Sequence, residues 1–475
     1  MVKIFRNLRV IAAVAVMLVA VGCASEKRVV IISTNDIHAS IDNFPRLATL
    51  VEEIRAANGE DAVILTDAGD RWTGNPFVDI AERPLYPVVE LMNRLGYDVA
   101  TLGNHEFDWG QAMLDERVGE MNFPVVCANL DTGTSALSSI EPYTIIEAGG
   151  LRIAFLGLVT NFVDGHPDGK LENFVGMSFT NPYDAAEKYA WLADECDVFV
   201  ALTHIGDNAD EILAERVPQL DLILGGHSHT RIDTARVVGK TAITQSDSKL
   251  KYAGVTTVTK KGKSLTIENH LVPLADIAPA EDFAAMVERY NDNPALHASI
   301  GEVAAPFDAE GVRNLVTDAI RAQTGVDLVL YHRGGIRISE LPAGGVSFAD
   351  LFRIEPFRSE VYTMDMTAGD IKGLIMAKFN DTGNAGESHG PDLYPSGLTY
   401  EIITDEAGEA VDVRFLPVER DRYKVALPDY VCKVYKFNKP AAMVETGLQV
   451  TSILKSYIEA HSPLIPDDTP RIEIR

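Results

Sequence analysis

The chain has 475 residues, of which 46% are hydrophobic and 23% are charged, and its formal net charge is −27 at pH 7. This length is too great for one ordinary hydrophobic core and predicts two or more globular domains. The negative charge disfavours binding to nucleic acid, so we expect no nucleic acid partner. An anionic substrate would need local positive charge from metal ions or from a few arginines.

The first residues have the features of a secretory signal. Three basic residues among the first nine precede an uncharged run from Val10 to Val19, which is too short to span a bilayer. We therefore assign residues 1–22 to a signal peptide. Cys23 follows directly, and the site resembles that of bacterial lipoproteins, in which this cysteine is acylated. The resemblance implies an exported protein that meets the membrane only through a lipid anchor, at the periplasmic face or the cell surface. Simple secretion, with Cys23 incidental, is the alternative.

Five short apolar runs in the first half of the chain each end in polar residues that can bind a metal ion. They are Arg28–Ser33 with Asp36 and His38, Ala62–Thr66 with Asp70, Val99–Leu102 with Asn104 and His105, Val198–Leu202 with His204, and Asp221–Leu224 with His227 and His229. Apolar runs that alternate with helix-like stretches predict buried parallel or mixed strands with helices outside. Functional groups collect beyond the carboxyl ends of such strands, so we expect these side chains to converge.

The side chains in these positions favour a metal site. Asp36 and His38 are two residues apart, as are His227 and His229, and this spacing places both members of a pair on one side of an extended segment. Carboxylate, amide and imidazole groups without thiolates favour Zn, Mn, Fe or Co. Asp70 has two carboxylate oxygens that can bridge a pair of ions, as in the two-metal centres of enzymes that hydrolyse phosphate esters. Taken singly, each residue has an ordinary structural explanation. Five of the eleven histidines beyond apolar runs are harder to explain in that way.

Five motifs of the first half occur in a characteristic order. They are Thr34–His38, Gly69–Gly74, Gly103–Glu106, Thr203–His204 and Gly225–His229. In these motifs the chain resembles the calcineurin-like metallophosphoesterases. In the residues of two of them, Gly103–Asp108 and Gly225–Thr230, it resembles more closely the 5′-nucleotidase group. The resemblance implies an α/β fold, with a four-layer α/β/β/α sandwich at residues 26–275 and a linker with a helix at 276–298. An α+β substrate-binding domain would follow at 299–475.

The resemblance also implies two divalent metal ions and one catalytic histidine. The implied ligands are Asp36, His38, Asp70 and His229 for the first ion, and Asp70, Asn104, His204 and His227 for the second. His105, oriented by Asp108, would stabilise the transferring phosphoryl oxygens or protonate the leaving oxygen. An imidazole in such a role contributes about 10²–10⁴-fold in rate. Asn104 is also expected to contact the substrate.

The second half carries a looser version of the family pattern. Gly334–Arg337 follows an apolar strand candidate, and two glycines allow close approach of the backbone to a ligand. In the resembled family the arginine of this segment contacts the substrate phosphate, and a later Pro-Phe supplies a ring that stacks on the nucleobase. Arg337 and Phe357 match these positions. His332 falls where the family has an asparagine, and we expect it in the substrate pocket.

One segment of the family is replaced. Members carry a Gly-Gly-Asp-Gly-aromatic sequence near the C-terminus, where this chain reads Asp429–Phe437. Tyr435 or Phe437 can supply the missing ring, and the sequence does not decide between them.

These features predict an extracytoplasmic phosphohydrolase that removes phosphate from nucleoside 5′-monophosphates and so provides phosphate and nucleoside for uptake. Three alternatives stay open: a 2′,3′-cyclic nucleotide or UDP-sugar hydrolase of the same family, a phosphomonoesterase for non-nucleotide substrates, and a surface binding protein without activity. The oligomeric state is left open by the sequence.

Overall fold

The computed structural model describes residues 26–381, 389–440 and 442–475. The predicted signal peptide and Cys23 lie outside the described residues, so the lipid anchor stays a prediction. Among the described residues, no helix combines the length and the apolar character that a membrane crossing needs.

The N-terminal half alternates strands with helices, as its apolar runs predicted. Its strands are β1 (Lys27–Thr34), β2 (Val63–Asp67), β3 (Val99–Thr101), β4 (Val125–Val126), β5 (Leu130–Asp131), β6 (Tyr143–Ala148), β7 (Leu151–Val159), β8 (Ser178–Phe179), β9 (Val198–His204), β10 (Leu222–Leu224), β11 (Arg236–Val238), β12 (Thr241–Thr244), β13 (Tyr252–Lys261) and β14 (Ser264–Pro273). Its helices are α1 (Phe44–Asn58), α2 (Pro76–Asp79), α3 (Tyr86–Leu95), α4 (Gln111–Gly119), α5 (Pro182–Lys188), α6 (Asp207–Arg216), α7 (Glu281–Asn291) and α8 (Pro294–His297).

Two six-stranded mixed sheets form the centre of this half. Their strand orders are β14-β13-β1-β2-β3-β4 and β11-β12-β10-β9-β7-β6. Strands β1 to β4 are parallel, as are β7, β9, β10 and β12, while antiparallel strands complete the edges. The carboxyl ends of the parallel strands of each sheet therefore meet at one edge of that sheet.

The parallel strands are buried on both faces, which explains their continuous apolar sequences. In β1, Val29 and Ile31 face the second sheet, where they pack in a cluster with Phe155 and Val200. The alternate residues of β1 face α1 and α3 in a separate cluster, and α5 and α6 cover the outer face of the second sheet. These layers are helix, sheet, sheet and helix, and the predicted fold class is confirmed.

Helix α7 lies in the segment that the sequence predicts as a linker. Phe283 and Val287, one turn apart on this helix, are buried in the same cluster as α1. The backbone N–H of Ala280 donates to Pro45 O at 2.8 Å. The helix is thus packed as part of the outer layer, because its apolar residues at helical spacing complete the core beside α1.

The C-terminal half is an α+β arrangement. Its strands are β15 (Ser299–Val303), β16 (Leu328–His332), β17 (Gly344–Ser347), β18 (Glu360–Thr367), β19 (Leu393–Ser396), β20 (Thr399–Thr404), β21 (Ala410–Leu416), β22 (Arg422–Pro428), β23 (Met443–Gln449) and β24 (Ile472–Ile474). Its helices are α9 (Ala309–Thr324), α10 (Phe348–Ile354), α11 (Ala368–Asn380), α12 (Asp429–Val434) and α13 (Val450–His461). A five-stranded sheet of order β19-β16-β22-β18-β23 packs against α9 and α13 in one cluster. A second cluster joins it to α11 and to β20 and β21.

Close packing of the two N-terminal sheets can be tested at Gly157 in β7. A Cβ atom there would lie 1.9 Å from Val126 O and 2.8 Å from Thr101 Oγ1. We expect Gly157→Ala to lower the free energy of unfolding by about 1–3 kcal/mol, the usual cost of overpacking. Urea unfolding followed by tryptophan fluorescence measures this, because all three tryptophans lie in the N-terminal half. The control is Gly119→Ala at the end of α4, in the same half, where a Cβ meets nothing within 4 Å, and equal stability of both variants would contradict the expectation.

Candidate active site

The structure brings together the carboxyl ends of five parallel strands, three from one sheet and two from the other. The residues at these ends are Asp36 and His38 after β1, Asp70 after β2, Asn104 and His105 after β3, His204 at the end of β9, and His227 and His229 after β10. Every metal-ligand candidate predicted from the sequence therefore lies at this one place. Most of these side chains are buried, and His105, His227 and His229 are partly exposed.

The backbone at these positions is strained. Five of the candidate ligands have a positive φ: Asp36 (49°), His38 (47°), Asp70 (55°), His227 (81°) and His229 (55°). Residues other than glycine seldom adopt this region, although Asp and His tolerate it better than most. Each such residue costs about 1–3 kcal/mol and persists where the surrounding fold enforces it, commonly at functional sites.

One group of donor atoms surrounds His38. Its Nε2 atom lies 3.0 Å from His229 Nε2 and 3.9 Å from both Asp36 Oδ1 and Asp70 Oδ2. His229 Nε2 lies 3.2 Å from Asp36 Oδ1. On the other side of the ring, His38 Nδ1 lies 3.2 Å from the carbonyl oxygen of Thr73, which fixes Nδ1 as the donor and leaves Nε2 with a lone pair. Such spacings suit atoms that bind one ion at about 2.0–2.2 Å.

A second group surrounds His204. Its Nδ1 donates to Ala68 O at 2.8 Å, so Nε2 is the nitrogen that remains to bind a cation. Burial lowers the pKa of His204, but the charges of Asp70 and Asp36 outweigh it and raise the pKa to about 10, so a bound cation would take the place of the proton on Nε2. Nε2 lies 3.1 Å from Asp70 Oδ2 and 3.9 Å from Asp36 Oδ1. It is nevertheless buried and makes no hydrogen bond of good geometry with another described residue. A buried, unpaired nitrogen beside two carboxylates fits a metal ligand.

Asn104 and His227 adjoin this second group. Asn104 Oδ1 lies 3.0 Å from His227 Nδ1, and the rings of His227 and His204 are 5.1 Å apart between centroids. Burial and the neighbouring His204 lower the pKa of His227 to about 4, so its imidazole is neutral and can bind a cation. The full donor set of carboxylates, imidazoles and one amide fits borderline divalent ions.

His105 and Asp108 form a hydrogen-bonded pair beside the metal-ligand candidates. His105 Nδ1 lies 2.7 Å from Asp108 Oδ2, and His105 Nε2 lies 3.9 Å from Asp70 Oδ2. Burial lowers the pKa of His105, but the charges of Asp108 and Asp70 outweigh it and raise the pKa to about 9. The imidazolium can therefore donate a hydrogen bond or a proton at neutral pH.

Glu106 is a buried residue of the site to which the sequence reasoning gave no role. Its side chain accepts hydrogen bonds from the backbone N–H groups of Asp70 and Arg71, both at 2.8 Å, and from that of Gly103. It therefore ties the loop after β2 to the loop after β3. The sequence signal that could have revealed this role is an acidic residue directly after His105, in a motif whose other residues were assigned to the metal centre.

The C-terminal half contributes Arg337 and Phe357 to the same place. Arg337 Nη2 lies 3.2 Å from His38 Nε2, and the guanidinium carbon lies 5.8 Å from the centroid of the Phe357 ring. That ring is stacked on His105 at 5.6 Å between centroids, with an angle of 24° between the planes. Lys249 Nζ donates to Arg337 O at 3.3 Å and links the two halves beside the site.

A cavity of about 700 Å³ opens from these residues. Its walls include Asn104, His105, Arg337, Phe357, His332 and Tyr435. Phe437 is not among its lining residues, whereas Tyr430 and Tyr435 of the replaced segment both line the cavity. A groove of about 810 Å³ near Arg321 and Arg471 holds none of the candidate ligands.

Comparison with known proteins agrees with this arrangement. Residues 29–231 match the calcineurin-like phosphoesterase family model, and residues 297–435 match the model of the 5′-nucleotidase C-terminal domain. Protein 5NUC of Lutzomyia longipalpis is 26% identical, and the alignment covers 94% of this chain and 92% of that protein. The 5′-nucleotidase of Vibrio cholerae is 26% identical, with 88% of this chain and 86% of that protein covered.

A solved structure shows the same fold. The 5′-nucleotidase precursor from Thermus thermophilus superposes with a TM-score of 0.79 at 23% identity, covering 94% of this chain and 99% of that one. The two family models together match well over half of the chain. The chain belongs to the 5′-nucleotidase family of metal-dependent phosphoesterases, with a calcineurin-like N-terminal domain followed by a 5′-nucleotidase C-terminal domain.

Proposed function

We propose that this protein removes phosphate from nucleoside 5′-monophosphates at a centre for two divalent ions. One observation carries the proposal: Arg337 of the C-terminal domain lies 3.2 Å from His38 in the metal-ligand group and also lines a cavity of about 700 Å³. This size falls in the range of small-molecule sites. A phosphate held by Arg337 would have its leaving group in that cavity.

The two proposed ion sites share Asp70. Asp36, His38 and His229 would complete the first site, and Asn104, His204 and His227 the second. The donor set suits Zn, Mn, Fe or Co. When bound, the ions supply activation of water and Lewis-acid stabilisation of the charge that develops at phosphorus.

The residues of the chain supply the remaining steps. Arg337 presents a planar fork of N–H donors that can hold two phosphate oxygens at once. His105 is protonated at neutral pH and donates from Nε2 to a phosphoryl oxygen or to the leaving oxygen. Asp108 holds the opposite nitrogen of this ring and stabilises its charged form. Phe357 offers a ring face on which a nucleobase can stack.

Two further parts of the proposal concern location and role. The basic, apolar and small-residue pattern of residues 1–22, followed by Cys23, supports export and lipid anchoring. An exported enzyme of this kind would release phosphate and nucleoside from external nucleotides for uptake.

The replacement of the family's glycine-rich aromatic segment favours a second candidate, a phosphomonoesterase for non-nucleotide substrates.

A substrate panel tests the proposed function. The enzyme is freed of metal with EDTA, reloaded with Mn²⁺, Co²⁺ or Zn²⁺, and assayed for phosphate release from 5′-mononucleotides, 2′,3′-cyclic AMP, UDP-glucose, glycerol phosphate and p-nitrophenyl phosphate. We expect 5′-mononucleotides to be hydrolysed with the highest kcat/KM, and activity to vanish without metal. His105→Ala is the control and should lower kcat by about 10²–10⁴-fold. Turnover of glycerol phosphate without turnover of any 5′-mononucleotide would reject the proposal.

The pH dependence of kcat tests the assigned role of Asp108. His105 acts in its protonated form, so activity should fall as pH rises through its pKa, which Asp108 helps to raise to about 9. Asp108→Asn removes that charge, and we expect the basic limb of the profile to move by about 1–3 pH units toward lower pH. The exposed Asp292→Asn serves as the matched control. A lower kcat with an unmoved basic limb would contradict the assignment.

A further inference from the structure

One part of the cavity is built around His332. This side chain is only 6% exposed, and it is stacked on Tyr430 with ring centroids 4.7 Å apart and an angle of 21° between the planes. Tyr435 meets the same ring edge-on at 6.3 Å. His332 Nδ1 is buried and has no hydrogen-bond partner in the part of the chain that the structure describes. A buried, unpaired ring nitrogen in a cavity wall calls for a ligand group or a water molecule.

The hydroxyl of each tyrosine beside His332 is hydrogen-bonded to a carboxylate. The Tyr430 hydroxyl donates to Asp168 Oδ1, and the Tyr435 hydroxyl donates to Asp392 Oδ2 at 2.6 Å. Burial and these carboxylates raise the pKa of both hydroxyls well above the ordinary value, so both stay protonated as donors. Asp168 belongs to the N-terminal half, and this wall of the cavity is therefore assembled across the two domains.

Asp168 and Asp392 differ from the other carboxylates nearby in having no cationic partner. Asp164 pairs with Lys436, and Asp429 lies 3.0 Å from Lys170 Nζ. Within residues 26–381, 389–440 and 442–475, no Lys, Arg or His nitrogen lies within 4.0 Å of a carboxylate oxygen of Asp168 or Asp392. An ionised carboxylate accepts about four hydrogen bonds, so each retains capacity beyond the one tyrosine that it binds.

The polar groups next to the His332 ring are therefore mainly acceptors, although Lys170, Arg333, Lys378 and Lys436 also line the cavity. Burial lowers the pKa of His332, which favours the neutral imidazole with one accepting nitrogen. The two tyrosine hydroxyls are already committed to the carboxylates. A ligand group that lies against Asp168 or Asp392 must present donors, because an acceptor placed against a carboxylate leaves both groups unpaired and costs free energy.

Nucleobases differ in the hydrogen-bond donors that their pairing edges carry. The pairing edge of guanine carries two adjacent donors, the ring N1–H and the 2-amino group. The pairing edge of adenine carries a ring acceptor beside its amino group, and that of cytosine does the same. A carboxylate can accept both guanine donors at once, in the way that side chains read base edges in nucleic acids.

We propose that Asp168 and Asp392 accept hydrogen bonds from the donor edge of the base and make this enzyme selective for guanine nucleotides over adenine nucleotides. The inference rests on the proposed nucleotidase function and assigns its substrate class. A site built around a substrate N–H rejects analogues that lack it, because the buried group is then left unpaired.

Steady-state kinetics on the metal-loaded full chain test the inference. We expect kcat/KM for GMP to exceed that for AMP and CMP by about ten-fold or more, with IMP, which lacks the 2-amino group, between them. Asp168→Asn and Asp392→Asn keep the side-chain shape but place an amide donor in the wall. At least one of them should bring the GMP to AMP ratio close to one, mainly by loss of GMP turnover.

Asp164→Asn is the matched control, since this carboxylate lies on the same loop as Asp168 but already pairs with Lys436. It should leave the GMP to AMP ratio unchanged. Equal kcat/KM for GMP and AMP in the wild type would overturn the inference. An equal loss for both nucleotides in the Asp168 and Asp392 variants would also overturn it, since the carboxylates would then act on the shared ribose.

Hydrolysis of p-nitrophenyl phosphate, which has no base, separates the two proposals and shows that each variant is folded. Turnover of this compound without turnover of any 5′-mononucleotide rejects the proposed function itself. Turnover of all nucleotides at one rate rejects only the selectivity for guanine. Should an asparagine variant fail to fold, the comparison of GMP, IMP and AMP on the wild type still decides the question.

Discussion

The burial of Asp70 is the constraint on which the rest of the site depends. Its carboxylate is only 1% exposed, and its Oδ2 lies between 3.1 and 3.9 Å from nitrogens of three histidines, His38, His105 and His204. Burial alone raises the pKa of Asp70, but the charges of His204 and His105 outweigh it and hold the pKa well below the usual value. A buried carboxylate of this kind needs nearby positive charge. The proton on His105 supplies part of it, and bound cations would supply the rest in place of a proton on His204.

The fold provides the free energy that holds this arrangement in place. Five ligand candidates have a positive φ, at a cost of about 1–3 kcal/mol each. The ends of the strands that lead to them are buried, because each sheet packs against the other sheet on one face and against helices on its outer face. Glu106 adds hydrogen bonds that fix the loops after β2 and β3 to each other. The loops are thus pre-formed by a rigid scaffold, which is how precise metal and phosphate sites are built.

Much of the N-terminal half could be predicted from sequence because local rules and the fold agree there. Continuous apolar runs at Val198–Leu202 and elsewhere became buried parallel strands, and the rule on carboxyl ends of strands placed the ligand candidates together. The role of Glu106 escaped this reasoning, because it depends on backbone N–H groups that sequence patterns do not show. The packing of the linker helix α7 into the core was not predicted for a similar reason, since Phe283 contacts residues far away in sequence.

The cavity wall around His332 was the least predictable part of the molecule. The contact between Asp168 and Tyr430 joins residues 262 positions apart, in a segment where the family's glycine-rich motif is replaced. No periodicity or motif marks such a pair. His332 and Phe357 were identified only through resemblance, although both line the cavity. Acylation of Cys23 stays a prediction.

The most direct test of the central claim is anomalous X-ray diffraction from crystals grown with Mn²⁺ and recorded at the manganese absorption edge. The account predicts two anomalous peaks about 3.5–4 Å apart, with a carboxylate oxygen of Asp70 bound to both. A single peak, or a pair of peaks that Asp70 does not join, would contradict it.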